Sequence, residues 1–223
     1  MIDKKLSRRT FVSNTMGLAG GLVVISLAGC SGTEKNVDGK KPHYVMVFDQ
    51  NKCVGCGECK IACNKVNQLP PGRSRVLLQR APTEDRHYIR VSCQQCENSP
   101  CVKVCPTQAC HHDPATGIVT MATDKCVGCK YCISACPYNA RYMNEETKVA
   151  DNCDFCLHKR NLAAGELPGC VESCRFHALE FGDLNDPNSF VSKLLAVKDS
   201  VRVRPWLGTE PQLRYIPVVK KGV

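Results

Sequence analysis

After residue 43 the apolar positions of this chain come in short runs separated by turn-forming residues. Tyr44-Val45-Met46-Val47-Phe48 predicts a strand. Arg75-Val76-Leu77-Leu78-Gln79-Arg80 predicts a second, basic strand, inside an insertion from Asn64 to Val91 that also carries Pro70-Pro71-Gly72. Asp113-Pro114-Ala115-Thr116-Gly117 followed by Ile118-Val119-Thr120 reads as a hairpin, and so do Arg141 to Met143, Asn144 to Thr147 and Lys148 to Ala150 taken together. Ala178-Leu179-Glu180-Phe181 predicts another strand. Asp186-Pro187-Asn188-Ser189 opens a short amphipathic helix over Phe190 to Val197. The tail from Val201 to Val223 reads as basic and irregular, either a strap over the domain or a docking surface for a partner.

Composition changes this picture. Hydrophobic residues make up 43% of the 223, but aromatics only 6%, with Trp206 the single tryptophan. The 18 cysteines approach the density of stapled or metal-bound scaffolds, so something besides a large aliphatic core holds the fold. Sixteen of them fall into four groups: Cys53, Cys56, Cys59, Cys63; Cys93, Cys96, Cys101, Cys105; Cys126, Cys129, Cys132, Cys136; and Cys153, Cys156, Cys170, Cys174. Only Cys30 and Cys110 stand apart. Residues between the third and fourth cysteine of a group, such as Ile133-Ser134-Ala135, span about one helical turn. The repeated unit is loop, short helix, short strand or hairpin, used twice over in pairs, and the fold class is α+β.

The first thirty residues read as an export signal. Ser7-Arg8-Arg9-Thr10-Phe11-Val12 is a twin-arginine core, and Met16 to Ala28 is too short and too glycine-rich for a membrane span, although a retained anchor helix is the competing reading. Leu27-Ala28-Gly29-Cys30 matches a lipobox, which would lipidate Cys30; Ser26-Leu27-Ala28 equally suits ordinary cleavage. Residues 31–42 form a polar linker, 43–182 the cysteine-rich domain and 183–223 a C-terminal extension. The formal charge of +9 falls to about +6 without the signal, and sixteen thiolates around four cores of charge +2 would bring it near −2. The basic balance therefore offsets clusters and does not point to nucleic acid.

A 4Fe–4S cube needs four thiolates. Gaps of two let one loop wrap three irons, while the fourth cysteine of the run serves a neighbouring cube in two-cluster ferredoxins. Cys126 to Pro137, CVGCKYCISACP, follows this pattern in full. Zinc ordinarily takes two separated Cys-x-x-Cys pairs, and disulfides, although legitimate in an exported protein, make poor staples between thiols two apart. Four 4Fe–4S clusters are the expected cofactors. The second and third groups both end Cys-Pro, at Pro106 and Pro137, while the first and fourth end in Asn64 and Arg175. Like ends suggest pairing two with three and one with four; sequential pairing is the alternative.

CQQCENSPCVKVCP, CVGCKYCISACPYNARY, ADNCDFC, LPGCVESC and ALEFGDLNDPNS resemble the four-cluster ferredoxin-like electron-transfer subunits of molybdopterin oxidoreductases and their relatives, over residues 43–220. In particular they resemble the iron–sulfur proteins of periplasmic Nrf nitrite reduction systems. The resemblance implies a tandem ferredoxin-like architecture of the bacterial two-cluster type, with pairing one–four and two–three. It implies four ligand sets: Cys53, Cys56, Cys59 and Cys174; Cys63, Cys153, Cys156 and Cys170; Cys93, Cys96, Cys101 and Cys136; Cys105, Cys126, Cys129 and Cys132. Arg175-Phe176-His177 departs from the Cys-Pro-Thr common in relatives, which alters the surroundings of a cluster without removing a ligand.

The leading functional reading is an electron wire that makes no bonds of its own. By resemblance, electrons would come from quinol through an integral membrane quinol-interacting subunit of the Nrf type and leave toward a terminal reductase or cytochrome c partner, in formate-dependent nitrite reduction. A second reading is the B subunit of a molybdopterin polysulfide, thiosulfate or tetrathionate reductase. A third, a reductase in its own right, needs an open metal or an acid–base pocket. Cys110-His111-His112 is the one odd cluster, and it reads as a polar surface loop with a semi-buried thiol. No catalytic residue is assigned. Tyr131, Tyr138 and Phe155, beside ligand positions, read as packing that excludes water. Lys159-Arg160 and Lys220-Lys221 read as solvated charges.

Overall fold

The computed structural model describes residues 40–82 and 87–219. The twin-arginine core, Cys30 and Lys220-Lys221 lie outside the described residues. Strand β1, Tyr44–Asp49, buries Val45 through Phe48 almost completely, each burial contributing on the order of 2 kcal/mol. The first cysteine loop follows and leads into helix α1, Glu58–Asn67. This helix runs well past the single turn expected between Cys59 and Cys63. It stops where Gln68 turns left-handed, its N–H bonded to the carbonyls of Asn64 and Lys65, ahead of Pro70. Strands β2, Val76–Arg80, and β3, Tyr88–Ser92, form the antiparallel hairpin of the insertion.

Helix α2, Pro100–Lys103, precedes β4, Cys110–His112, which pairs antiparallel with β5, Val119–Met121. Helix α3, Tyr131–Ser134, precedes a second small hairpin, β6, Tyr142–Met143, and β7, Ala150–Asp151. The two hairpin turns are built alike. Asp113 Oδ1 accepts from the N–H groups of Ala115 and Thr116 at 3.1 and 2.8 Å, and Asn144 Oδ1 accepts from Glu146 and Thr147 at 2.9 and 3.2 Å. Each turn then passes through a left-handed residue, Gly117 in one and Lys148 in the other. A 3-10 turn, Leu162–Ala164, occupies the long gap of the fourth cysteine group, before helix α4, Gly169–Glu172, and strand β8, Leu179–Asp183. Helix α5, Phe190–Val197, falls where the periodicity places it.

The tail differs from its irregular reading. Leu213–Ile216 is strand β9, which lies parallel to β1 and makes the sheet order β8-β1-β9. The pattern around Leu213, Tyr215 and Ile216 is too short to predict a strand; the pairing partner, far back in the sequence at Met46 to Asp49, supplies the reason. Backbone bonds from Glu97 and Asn98 to Glu210 and Thr209, and from Gln212 to Gln94, fasten this tail across the second cysteine loop. Cys110-His111-His112 is likewise not a loop: it is β4, and Cys110 is 1% exposed. Its ladder with β5 satisfies the backbone and turns the thiol inward. The observed architecture is a small mixed α/β fold of short helices and small sheets, compatible with a ferredoxin-like fold.

Side chains cluster into separate cores. One gathers Met46, Phe48, Phe155, Phe181 and Tyr215 around Cys59, Cys63, Cys153 and Cys170. A second holds Cys101, Cys110, Val119, Cys132 and Ala150, with Val102, Cys105, Met121, Ile133 and Met143 packed on it. A third, of Val47, Val191 and Ile216, fixes α5 to the sheet.

Candidate metal centre

The four Cys-x-x-Cys loops share one backbone feature. The residue before the second cysteine has a positive φ in each: Gly55 at 73°, Gln95 at 49°, Gly128 at 69° and Phe155 at 53°. Glycine adopts this freely; at Gln95 and Phe155 it costs about 1–2 kcal/mol each. Their side chains are held in return. Gln95 Oε1 accepts from the Val119 N–H at 2.6 Å, and its amide donates to the carbonyls of Val119 and Cys153. Phe155 is 1% exposed and packs edge-on against Phe181. The turn aims backbone N–H groups at sulfur: those of Gly55 and Gln95 bond the first thiol of their loops, Cys53 and Cys93.

Helix packing decides which loops meet. Helix α1 lies against α4, and α2 against α3. The first contact depends on Gly169, where an added Cβ would come within 2.8 Å of Val66 Cγ2. The result brings Cys53, Cys56, Cys59 and Cys174 onto one small apolar cavity, together with Phe48, Leu78 and Phe176. Cys63 has Cys170 and Cys156 as thiol neighbours, and Cys153 has Cys63 and Cys170. Cys93 and Cys96 both neighbour Cys101 and Cys136, and Cys132 neighbours Cys101 and Cys105. Cys126 stands half-buried and Cys129 exposed. Among the described residues no three His, Cys, Asp or Glu side chains converge on a single-ion position, and every described cysteine is free. Each corner of a cube takes one sulfur, so its four ligands stand farther apart than those of a single zinc ion.

Burial raises most of these thiols, to about 11 at Cys59 and Cys93 and about 12 at Cys63 and Cys96, with neighbouring sulfurs adding to the effect. Such thiols need cationic charge nearby to become ligands. Two buried arginines supply it. Arg90 donates to Ser92 Oγ at 3.2 Å and to Cys170 Sγ at 3.8 Å. Arg141 donates to Cys110 Sγ at 2.9 Å and lies against Met121 Sδ at 3.3 Å. Burial would depress both guanidiniums, yet the surrounding thiols hold both above their ordinary range. Cys110 and Cys101 share a hydrogen bond that raises Cys110 and, with burial opposing and Arg141 assisting, lowers Cys101. At Cys105 burial is outweighed by hydrogen bonds from the Cys110 N–H and Thr107, and the thiol is lowered.

Amides complete the setting. Asn67 Nδ2 lies 3.7 and 3.6 Å from the sulfurs of Cys63 and Cys156, and Asn152 Nδ2 lies 3.8 Å from Cys93 Sγ. Arg90, Arg141, Asn67, Gln95 and Asn152 carry no sequence mark as ligand neighbours. The only available signal is that the position held by glycine in two Cys-x-x-Cys loops is held by Gln95 in a third. Of the aromatics flagged beside ligands, Phe155 packs inward, Tyr138 shares its hydroxyl with Thr209 of the tail, and Tyr131 is 60% exposed, so it does not exclude water as expected. Arg160 forms an exposed ion pair with Glu172, and Arg175 approaches Glu58 at 3.7 Å. His111 and His112 hydrogen-bond the carbonyls of Ala109 and Gly117. The donor set fits iron–sulfur ligation: sixteen thiols on repeated turns, with cations and N–H donors directed at sulfur.

Residues 85–184 match the 4Fe–4S dicluster domain family. The sequence is 45% identical over 219 residues to Protein NrfC of Escherichia coli (strain K12), covering 95% of each. The protein belongs to the NrfC-type family of 4Fe–4S electron-transfer proteins. It is also 46% identical over 187 residues to the B subunit of polysulfide reductase from Wolinella succinogenes, with 81% of the present sequence and 97% of the relative covered. A third relative, the thiosulfate reductase electron transfer subunit PhsB of Salmonella typhi, is 48% identical over 150 residues, with 64% of the present sequence and 77% of the relative covered.

Proposed function

We propose that the protein holds four 4Fe–4S clusters in two pairs, on the four ligand sets given above, and carries electrons without catalysing a reaction of its own. The packing of α1 on α4 and α2 on α3 supports this reading, because it joins the first cysteine group to the fourth and the second to the third, as an exchange of fourth ligands requires. The like-built hairpin turns support a duplicated ferredoxin-like plan. When bound, such clusters supply one-electron redox capacity, and the protein sets its position and potential. Cys56 and Cys129 are the exposed members of their loops, flanked by exposed Val54 and Val127, and these two surfaces suit electron arrival and departure.

The twin-arginine core supports export of the folded, loaded protein to the periplasm, with or without a lipid on Cys30. A quinol-oxidising membrane subunit of the Nrf type on one side and a cytochrome c nitrite reductase on the other fit the 45% identity over 95% of both sequences. A second reading, the B subunit of a molybdopterin polysulfide, thiosulfate or tetrathionate reductase, is favoured by the 46% and 48% identities. Stopped-flow oxidation of the reduced protein decides between them. The Nrf reading expects rapid, saturable electron delivery to cytochrome c nitrite reductase and none to a molybdopterin polysulfide reductase; the reverse order would replace it with the second reading.

A further inference from the structure

Arg75 shows how this fold treats an ordinary, mostly buried arginine. That guanidinium meets Asp151 at 2.8 Å, Asp154 at 2.9 Å and the side-chain oxygen of Asn67 at 2.8 Å. Arg90 and Arg141 are treated differently. Arg90 is 1% exposed and Arg141 4%. Neither forms an ion pair with a described carboxylate. Each leaves one guanidinium nitrogen with no hydrogen-bond partner, Nη1 of Arg90 and Nε of Arg141. A buried cation without a counter-charge is costly, and proteins rarely keep one. The negative charge that balances it must come from something its surroundings are built to hold.

Those surroundings are sulfur. Arg90 donates to Cys170 Sγ at 3.8 Å, in the core that also holds Cys59 of one ligand set and Cys63 and Cys153 of its pair mate. Arg141 donates to Cys110 Sγ at 2.9 Å, in the core that also holds Cys101 of the third set and Cys132 of the fourth. Each arginine therefore meets sulfur in a core that holds ligands of both members of one pair. A cube ligated by four thiolates carries net negative charge in either oxidation state, and one more unit when reduced. A fixed guanidinium in a site of low dielectric favours the reduced state of both neighbours.

We infer that Arg90 and Arg141 are the charge-balancing residues of the two cluster pairs, each raising the reduction potentials of both members of its own pair. This rests on the four-cluster reading above. It adds that potential is set pairwise, by one buried cation per pair, independently in the two halves. The arginines are positioning residues in the electrostatic sense: they act on the clusters and transfer nothing.

The test uses the full-length protein purified anaerobically from a host competent in cluster insertion, as wild type, Arg90→Met, Arg90→Lys, Arg141→Met and Arg141→Lys. Iron and acid-labile sulfide are counted first, and midpoint potentials are then read by low-temperature electron spin resonance during redox titration. Arg90→Met is expected to keep its iron and to lower two of the four potentials, each by about tenfold or more in the reduction equilibrium constant, or about 59 mV for a one-electron couple. Arg141→Met is expected to lower the other two, and the lysine variants to retain most of the wild-type values. If the methionine variants lose iron and the lysine variants keep it, the requirement for charge is supported by loading instead of by potential. Unchanged potentials in fully loaded methionine variants, equal shifts in all four clusters, or equal iron loss in methionine and lysine variants would each overturn the inference. Wild-type protein without four clusters would defeat the underlying reading instead, and the iron count separates the two failures.

Discussion

The half built from the first and fourth cysteine groups is a protein core with sulfur in it; the half built from the second and third is sulfur with a thin shell of protein around it. In the first, a three-stranded sheet and the rings of Phe48, Phe155, Phe181 and Tyr215 surround the thiols. In the second, two hairpins of two and three residues per strand and one-turn helices enclose Cys101, Cys110 and Cys132, and no aromatic ring belongs to that core. Isolated two-stranded hairpins are marginal in water, so on the four-cluster reading the second half should depend on its cofactors for order to a degree that the first does not. One molecule thus uses two solutions to one problem: burial of apolar area where the backbone can reach around it, and ligation where it cannot.

Removing iron and sulfide should break this comparison open most widely. Hydrogen exchange after anaerobic chelation should show the amides of β4–β5 and β6–β7 losing nearly all protection while β1 and β8 keep a large part of theirs. Equal loss in both halves would show that the aromatic core confers no independent stability. Next in size is Arg75→Ala, which leaves the buried Asp154 and the partly buried Asp151 of β7 without their cation where the two halves meet. A loss of about 3 kcal/mol in denaturant unfolding is expected, read by near-ultraviolet circular dichroism with iron content unchanged.

Tyr215→Phe removes the bond from the Tyr215 hydroxyl to the Arg90 carbonyl, 2.6 Å long and buried, and should cost about 1 kcal/mol in the same assay. The smallest effect belongs to the surface beside Cys129: Val127, 69% exposed, should tolerate serine within about 0.5 kcal/mol of stability. If that surface docks a redox partner, the substitution should instead appear in the electron-delivery rate, which sharpens the contrast between residues that hold the fold and residues that serve its ends.

The cysteine groups, both hairpins, β1, β8 and α5 were legible in the sequence because each is written locally: in thiol spacing, in Asp113 and Asn144 at turn starts, in alternation, or in a 3.6-residue period. Strand β9 was not, because four residues form a strand only when a distant edge accepts them. The inward face of Cys110 was hidden for a similar reason, since the flanking histidines read as polar surface until β5 pairs with them. Arg90 carries no local mark of its role. In Tyr88-Ile89-Arg90-Val91-Ser92 it shares a face with Ser92, which alternation assigns to solvent, but in this fold that face meets thiols. Rules written for aliphatic cores invert where the buried layer carries charge. The helix contacts that join the first group to the fourth were foreshadowed only by the prolines that the two middle groups share, and the close approach at Gly169 has no mark in the spacing.

What the sixteen sulfurs hold, and how they are grouped, decides everything downstream of them. Iron and sulfide analysis of the anaerobically isolated protein, joined to low-temperature spin resonance of the fully reduced form, addresses both at once. Sixteen irons and sixteen sulfides per molecule, with spectra broadened by magnetic coupling within pairs, are the expected result. Eight irons, zinc in their place, or four clusters with sharp, uncoupled signals would contradict it.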